Sequence, residues 1–140
     1  MKVFFDSDVI IAALLSNKGA SSSLINLAVI TGYVSNYSVE ELKTVIKRNN
    51  MDIVALNKLL LKVDTIKIEE QISLVKKIYT SYVLDDNDAH IVAGAHLSKA
   101  EFLITFNLKH FNTNNIKNDM QITAMQPGPF LQYLRLLGKF

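Results

Sequence analysis

Residues 3–15 read VFFDSDVIIAALL, a short apolar run closed by an aspartate and followed, two residues later, by a second aspartate and a longer apolar run. Val3, Phe4 and Phe5 are β-prone and uninterrupted by polar residues, the pattern of a strand buried on both faces of a parallel sheet. The VIIAALL segment is predicted to be helical. A carboxylate directly after such a strand lies close to the core, where a charge is costly unless it is paired or bound to a cation. Asp6 is therefore the first candidate functional residue, and the strand it terminates is the first element of an α/β fold.

Working outward, Ser21 to Ser23 can cap a helix running to about Ile30, Gly32 stops it, and Tyr33-Val34-Ser35 forms a second strand. Apolar stripes predict helices over Ser38–Arg48, Asp52–Lys62 and Glu69–Tyr82. After the acidic segment DDND (residues 85–88), Ile91, Val92 and Ala95 continue a helical period to Lys99, and Phe102–Thr105 reads as another buried strand. Gln121–Met125 is a weaker last strand, ended by the PGP turn before a closing helix, Phe130–Leu137. The alternation predicts one α/β domain over residues 1–140, a three-layer fold with an open, mostly parallel sheet of four to five strands and helices on both faces. Ligands of such sheets sit beyond the carboxyl ends of the strands, where Asp6, Ser35 and Thr105 fall.

Composition narrows the chemistry. The 140 residues include no cysteine, which excludes disulfides and thiolate metal sites and leaves oxygen and imidazole as the donors for any cation. The longest apolar run, Val9 to Leu15, is too short to span a bilayer, and no positively charged leader precedes it, so no membrane association and a cytoplasmic location are expected. Net charge is +2, yet seven of the 13 acidic residues lie in three patches: Asp6 and Asp8; Glu40 and Glu41; Asp85, Asp86 and Asp88. If the patches converge, the remaining surface is strongly basic, as suits an enzyme that attracts a polyanion and cuts it at a cation-loaded acidic centre. Basic residues scattered over solvated helix faces give the same count.

Each acid also has a local structural explanation. In extended geometry Asp6 and Asp8 would point the same way, roughly 6 to 7 Å apart, and could share a cation; equally, Asp8 could cap the helix that follows it. Ser38-Val39-Glu40-Glu41 matches a capping box in which Glu41 reaches back to the Ser38 amide. Asp85 and Asp86 suit the start of a helix, where the dipole stabilises them. Asp88 lies near the buried stripe of that helix and is less easily explained as surface charge. His90, His96 and His110 show no zinc spacing and read as surface or phosphate-facing residues.

In order along the chain, VFFDSDVIIAALL, SVEELKTVIKR, DDNDAHIVAGAH, LITFNLKHF and ITAMQPGPFLQYL resemble the successive motifs of the PIN-domain family, which includes the toxin ribonucleases of toxin–antitoxin pairs. The resemblance implies a PIN-like fold and Mg²⁺- or Mn²⁺-dependent RNA cleavage. Asp6, Glu41 and Asp88 would be the catalytic acids, Asp6 and Asp88 would be metal ligands, and Asp8, Asp85, Thr105 and Asn107 would support them. It also shifts Glu41 from cap towards site. Two positions depart from the family pattern: Asp8 stands where an asparagine is usual, and Asn107 where many members carry a fourth acid. The negative charge of that fourth acid has either moved to Asp8 or been lost.

The resemblance further implies an RNA substrate, a possible antitoxin partner and a homodimer. The apolar closing helix (Phe130, Leu131, Tyr133, Leu134, Leu136, Leu137) is richer in apolar residues than burial of one face requires. Two rivals remain. FFDSD also resembles the D-x-D nucleophile motif of haloacid-dehalogenase-like phosphatases, but no glycine precedes an aspartate here as that family's later motif requires. The second is a PIN fold retained as a catalytically weak RNA- or partner-binding module, with Asn107 as the cause.

Overall fold

The computed structural model describes residues 1–140. Its elements, in chain order, begin with β1 (Lys2–Phe5), α1 (Ser7–Leu15), α2 (Ala20–Asn26), β2 (Thr31–Ser35) and α3 (Asn36–Arg48). There follow α4 (Ile53–Leu60), β3 (Asp64–Ile66), α5 (Ile72–Tyr79), α6 (Ala89–Leu97), β4 (Phe102–Ile104), α7 (Thr113–Met120), β5 (Thr123–Met125) and α8 (Pro127–Leu136), with short 3-10 turns at Thr80–Tyr82, Asp86–Asp88 and Leu108–His110. The five strands form one sheet in the order β3-β2-β1-β4-β5, every pair parallel. Chain order reverses at β1, so the crevice between β1 and β4, beyond their carboxyl ends, is the place where such a sheet binds ligands.

The alternation of β1 divides the interior. Val3 and Phe5 enter a cluster with Val9 and Ile10 of α1, Leu24 of α2, Leu42 and Ile46 of α3, Leu56 of α4 and Phe130 and Leu134 of α8. Phe4 enters the opposite cluster, with Val75 of α5, Ile91, Val92 and Ala95 of α6 and Ile116 of α7. Both phenylalanines are fully buried, each worth about 1.5–3 kcal/mol of transfer free energy. Close packing on the second face depends on Gly94: a Cβ there would stand 2.5 Å from the Phe4 ring. Helix α6 can approach the sheet because it carries no side chain at that contact.

Two elements escaped the sequence pattern. Strand β3 is a three-residue edge strand with Asp64 and Thr65 exposed, so it has no apolar run to detect. Helix α7, TNNIKNDM, buries Ile116 alone and is started by the Asn112 side chain, which accepts from the Asn115 amide. Predicted ends also moved: the helix expected to reach Ile30 stops at Asn26, and the one expected over Glu69–Tyr82 is α5 plus a 3-10 turn. The closing helix uses Phe130 and Leu134 in the core while Leu136 is 87% exposed. No helix is long and apolar enough to cross a membrane.

Candidate active site

The β1–β4 ladder places the first residues of the site. Phe5 lies opposite Ile104, and the Asp6 amide continues the ladder by donating to the Ile104 carbonyl (3.0 Å). The next residue on each strand is then Asp6 beside Thr105, whose hydroxyl donates to Asp6 Oδ2 at 2.8 Å. Asp6 Oδ1 accepts the Ser7 amide at 2.7 Å, making Asp6 the N-cap of α1. The cap expected at Asp8 therefore falls two residues earlier, and the helix begins too soon for the extended Asp6–Asp8 geometry to exist. Asp8 sits in the first helical turn and turns towards the chain after β4, where its Oδ2 accepts from the Phe106 amide (3.1 Å) and from Asn107 Nδ2 (2.9 Å).

The capping box around Glu41 is also displaced, for a clear reason. Strand β2 runs into α3 without a loop, so Ser35, its last residue, becomes the cap and accepts from the Ser38 amide at 3.1 Å. Ser38 is buried one turn inside the helix, its hydroxyl 3.2 Å from that of Ser35. Glu41 then belongs to the second turn and is released from any capping duty. Its Oε1 accepts from Ser7 Oγ at 2.9 Å, and its Oε2 lies 3.1 Å from His90 Nε2. Because an ionised carboxylate only accepts, Nε2 carries the hydrogen and Nδ1 is left buried with no partner.

His90 is a residue whose role the sequence did not disclose. It is 5% exposed, on the first turn of α6 and edge-on to the Tyr37 ring, where a surface or phosphate-facing residue was expected. Its signal in the sequence was its place in AHIVAGA (residues 89–95), an otherwise uninterrupted small and apolar stretch directly after Asp88, which the structure buries throughout. Asp88 ends the 3-10 turn before α6, half-buried, with His110 Nδ1 3.4 Å from its Oδ2. Asp85 is further out: its side chain accepts from the Asn87 amide and starts that turn. Asp86 accepts from the Thr80 hydroxyl.

The electrostatics separate these acids into two groups. Burial pushes the Asp6 carboxyl up from 3.8 to about 7; the charge of Asp8 adds to the rise, the Thr105 and Ser7 hydrogen bonds oppose it, and Asp88 raises it a little further. Burial likewise raises Asp8, partly offset by the Phe106 amide, and raises Asp88, partly offset by His110. Glu41 goes the other way, held below its ordinary value by the hydrogen bond from His90.

The donor set fits a hard divalent cation. Three desolvated carboxylates that repel one another gain from a positive charge between them, and Asp8 Oδ1 is buried with no hydrogen-bond donor. No three acidic or imidazole side chains are drawn close enough to form a ready-made cage, so cation binding would have to draw the carboxylates together.

A parallel 3-2-1-4-5 sheet with acidic side chains gathered at its switch point defines a three-layer α/β domain with an acidic cleft. The PIN domain family (PIN_3) matches residues 2–109, and the chain belongs to that family. It is similar in structure to VapBC2 from Rickettsia felis, solved bound to a DNA fragment from its promoter: TM-score 0.64, 15% identity, covering 90% of this chain and 98% of that one. A toxin–antitoxin complex from Klebsiella pneumoniae is similar at TM-score 0.64 and 22% identity, covering 89% and 97%. No curated protein matches the sequence.

Proposed function

We infer that this protein is a metal-dependent endoribonuclease, with Asp6, Glu41 and Asp88 as its catalytic acids, and that it is the toxin of a toxin–antitoxin pair. The observation that carries the reading is the pairing of opposite electrostatics within one cleft: Asp6, Asp8 and Asp88 are raised by burial and mutual repulsion, while Glu41 is held ionised by His90. Asp6 and Asp88 would hold Mg²⁺ or Mn²⁺, with Asp8 and Asp85 beside them. A divalent cation in that position supplies Lewis-acid polarisation of a scissile phosphate and acidifies a water nucleophile. Thr105 and the Ser7 amide orient the two oxygens of Asp6, and Asn107 orients Asp8. Ser7 and His90 occupy one lone-pair direction on each Glu41 oxygen, leaving the others free to align water for attack. The toxin assignment draws on family membership and on structural likeness to toxin–antitoxin complexes, and an antitoxin partner follows from it. A homodimer through the exposed apolar end of α8 is part of the same proposal, and light scattering at micromolar concentration checks it.

The test is cleavage of RNA across a Mg²⁺ and Mn²⁺ titration by the wild type and by Asp6→Asn. Metal-dependent cleavage lost in Asp6→Asn is expected. The second reading, a catalytically weak binding module, has Asn107 in its favour; RNA binding indifferent to metal and to Asp6→Asn, with no cleavage, would replace the nuclease by that module.

A further inference from the structure

The core takes most of the phenylalanines. Phe4, Phe5, Phe111 and Phe130 are buried, and Phe102 packs against Phe130 with ring centroids 4.7 Å apart. Phe140, the last residue, lies under the Arg135 guanidinium. Phe106 is the exception: it is 44% exposed, and no aromatic ring or guanidinium covers it. It sits at the acidic cleft. Thr105, before it, donates to Asp6, and Asn107, after it, donates to Asp8. The Phe106 amide itself donates to Asp8 Oδ2 at 3.1 Å, and its carbonyl accepts from Gln126 Nε2 at 3.2 Å. Both main-chain groups are therefore bonded, one to α1 and the other to the N-cap of α8, and what remains to meet a ligand is the ring. A side chain so anchored lies within one nucleotide of any phosphate held over Asp6 and Asp8.

A benzene ring is chemically limited: it carries no charge and offers a flat apolar face whose π-electrons disfavour an anion. Nucleobases present the matching surface, and proteins that hold single strands rest successive bases on aromatic side chains in this way. A protein partner would call for a contiguous apolar patch of roughly a few hundred Å². Here the ring has polar neighbours, with Asn107, Lys109 and His110 exposed on the turn that follows it and Gln126 exposed beside it. Lys109 has no acidic partner and can meet a phosphate of the same strand.

We propose that Phe106 is the platform on which one base of the substrate stacks, at a nucleotide next to the phosphate held by the acidic cleft. The inference rests on the ribonuclease reading above and adds to it a residue that positions the strand. Because every base has a π-face, the platform tolerates all four bases and requires only that the base be free of its own stack.

Two measurements test it independently of each other. In the first, RNA carrying one abasic nucleotide, placed in turn at each position around the cut, is cleaved in Mn²⁺ by the wild type and by Phe106→Ala. The wild type should lose about 5- to 150-fold in kcat/KM, mainly through KM, when the missing base is the one on the ring. Phe106→Ala should lose as much on intact RNA and nothing more on that abasic strand. Phe106→Leu, apolar but without a flat face, should resemble Phe106→Ala, and Phe106→Trp should recover most of the loss. The second measurement needs no cleavage. The chain has no tryptophan, so Phe106→Trp in the metal-free Asp6→Asn background places a single indole at the cleft. Its fluorescence should be quenched by an adenosine hexamer and not by an abasic hexamer of equal charge. If the chain cleaves nothing but the adenosine hexamer quenches the indole, the nuclease reading fails and the platform stands. Wild-type kinetics in Phe106→Ala with an indole blind to the base overturn the platform, keep the nuclease and leave the ring to a protein partner. Additive losses from Phe106→Ala and the abasic nucleotide also overturn it, as does a Phe106→Leu protein that cleaves like the wild type.

Discussion

Asp6 and Glu41 are joined through Ser7, which donates its amide to one and its hydroxyl to the other, yet they are solvated in opposite ways. Asp6 lies at the end of a central strand, where burial and neighbouring negative charge raise its pKa to about 7. Glu41 stands on the second turn of α3, nearly half exposed, with a hydrogen-bond donor on each oxygen and its pKa lowered. The protein satisfies one acid with hydrogen bonds from its own Ser7 and His90 and leaves the other desolvated beside like charge. A single cleft can thus favour the ionised form of one carboxylate and disfavour it in another.

The largest effect should come from relieving the strained side. Asp6→Asn should abolish cleavage, yet stabilise the metal-free protein at neutral pH by on the order of 2–4 kcal/mol, since a pKa displaced upward makes the ionised form the destabilising one. The sign fixes the pH window: metal-free wild type should lose stability as pH rises from 3.8 to about 7, and Asp6→Asn should flatten that slope in thermal melts. Mg²⁺ or Mn²⁺ should restore wild-type stability by about 2.7 kcal/mol at a hundredfold excess over Kd, and should do far less for Asp6→Asn. A wild-type melting temperature indifferent to millimolar metal would erase the distinction between the two sides.

Breaking the satisfied side should cost less. His90→Ala removes the donor on Glu41 Oε2 and opens a void beside Tyr37, so activity should fall by about 10 to 100-fold and stability by about 1–3 kcal/mol. His90→Gln, which can still donate, should recover part of the activity; equal losses in both variants would reduce His90 to packing.

The Asp8–Asn107 pair comes next. Asn107 donates to Asp8 at 2.9 Å, so the asparagine and the acid that the family pattern leads one to expect at these two positions are exchanged while facing each other. Asp8→Asn should weaken metal-dependent cleavage by about 10-fold, and adding Asn107→Asp should return part of it. Wild-type cleavage by Asp8→Asn at limiting metal would show that the exchanged charge has no share in the site. Smallest of all, Ser7→Ala removes one hydrogen bond from Glu41, worth about 0.5–1.5 kcal/mol, and should change cleavage by no more than a few fold while His90 still holds the other oxygen.

The sequence by itself determined whatever depends on neighbours along the chain. The all-apolar Val3-Phe4-Phe5 run matched a strand covered on both faces, and its end placed Asp6 at the sheet edge. The stripes of α3, α4 and α5 marked helices because a 3.6-residue period leaves one face to bury. Helix α7 and strand β3 were not legible because one buried residue, or none, leaves no period to read. The tertiary structure alone decided which groups surround each acid. Ser7 and His90 are 34 and 49 residues from Glu41, and Thr105 is 99 from Asp6. Those distances in sequence are closed by the parallel ladder and by the packing of α6 on the sheet. The local pattern at Glu41 even pointed to a cap, which Ser35 filled because β2 continues into α3 without a loop. A carboxylate's environment is set by the groups that folding brings to it, and these come from strands and helices that no local pattern connects.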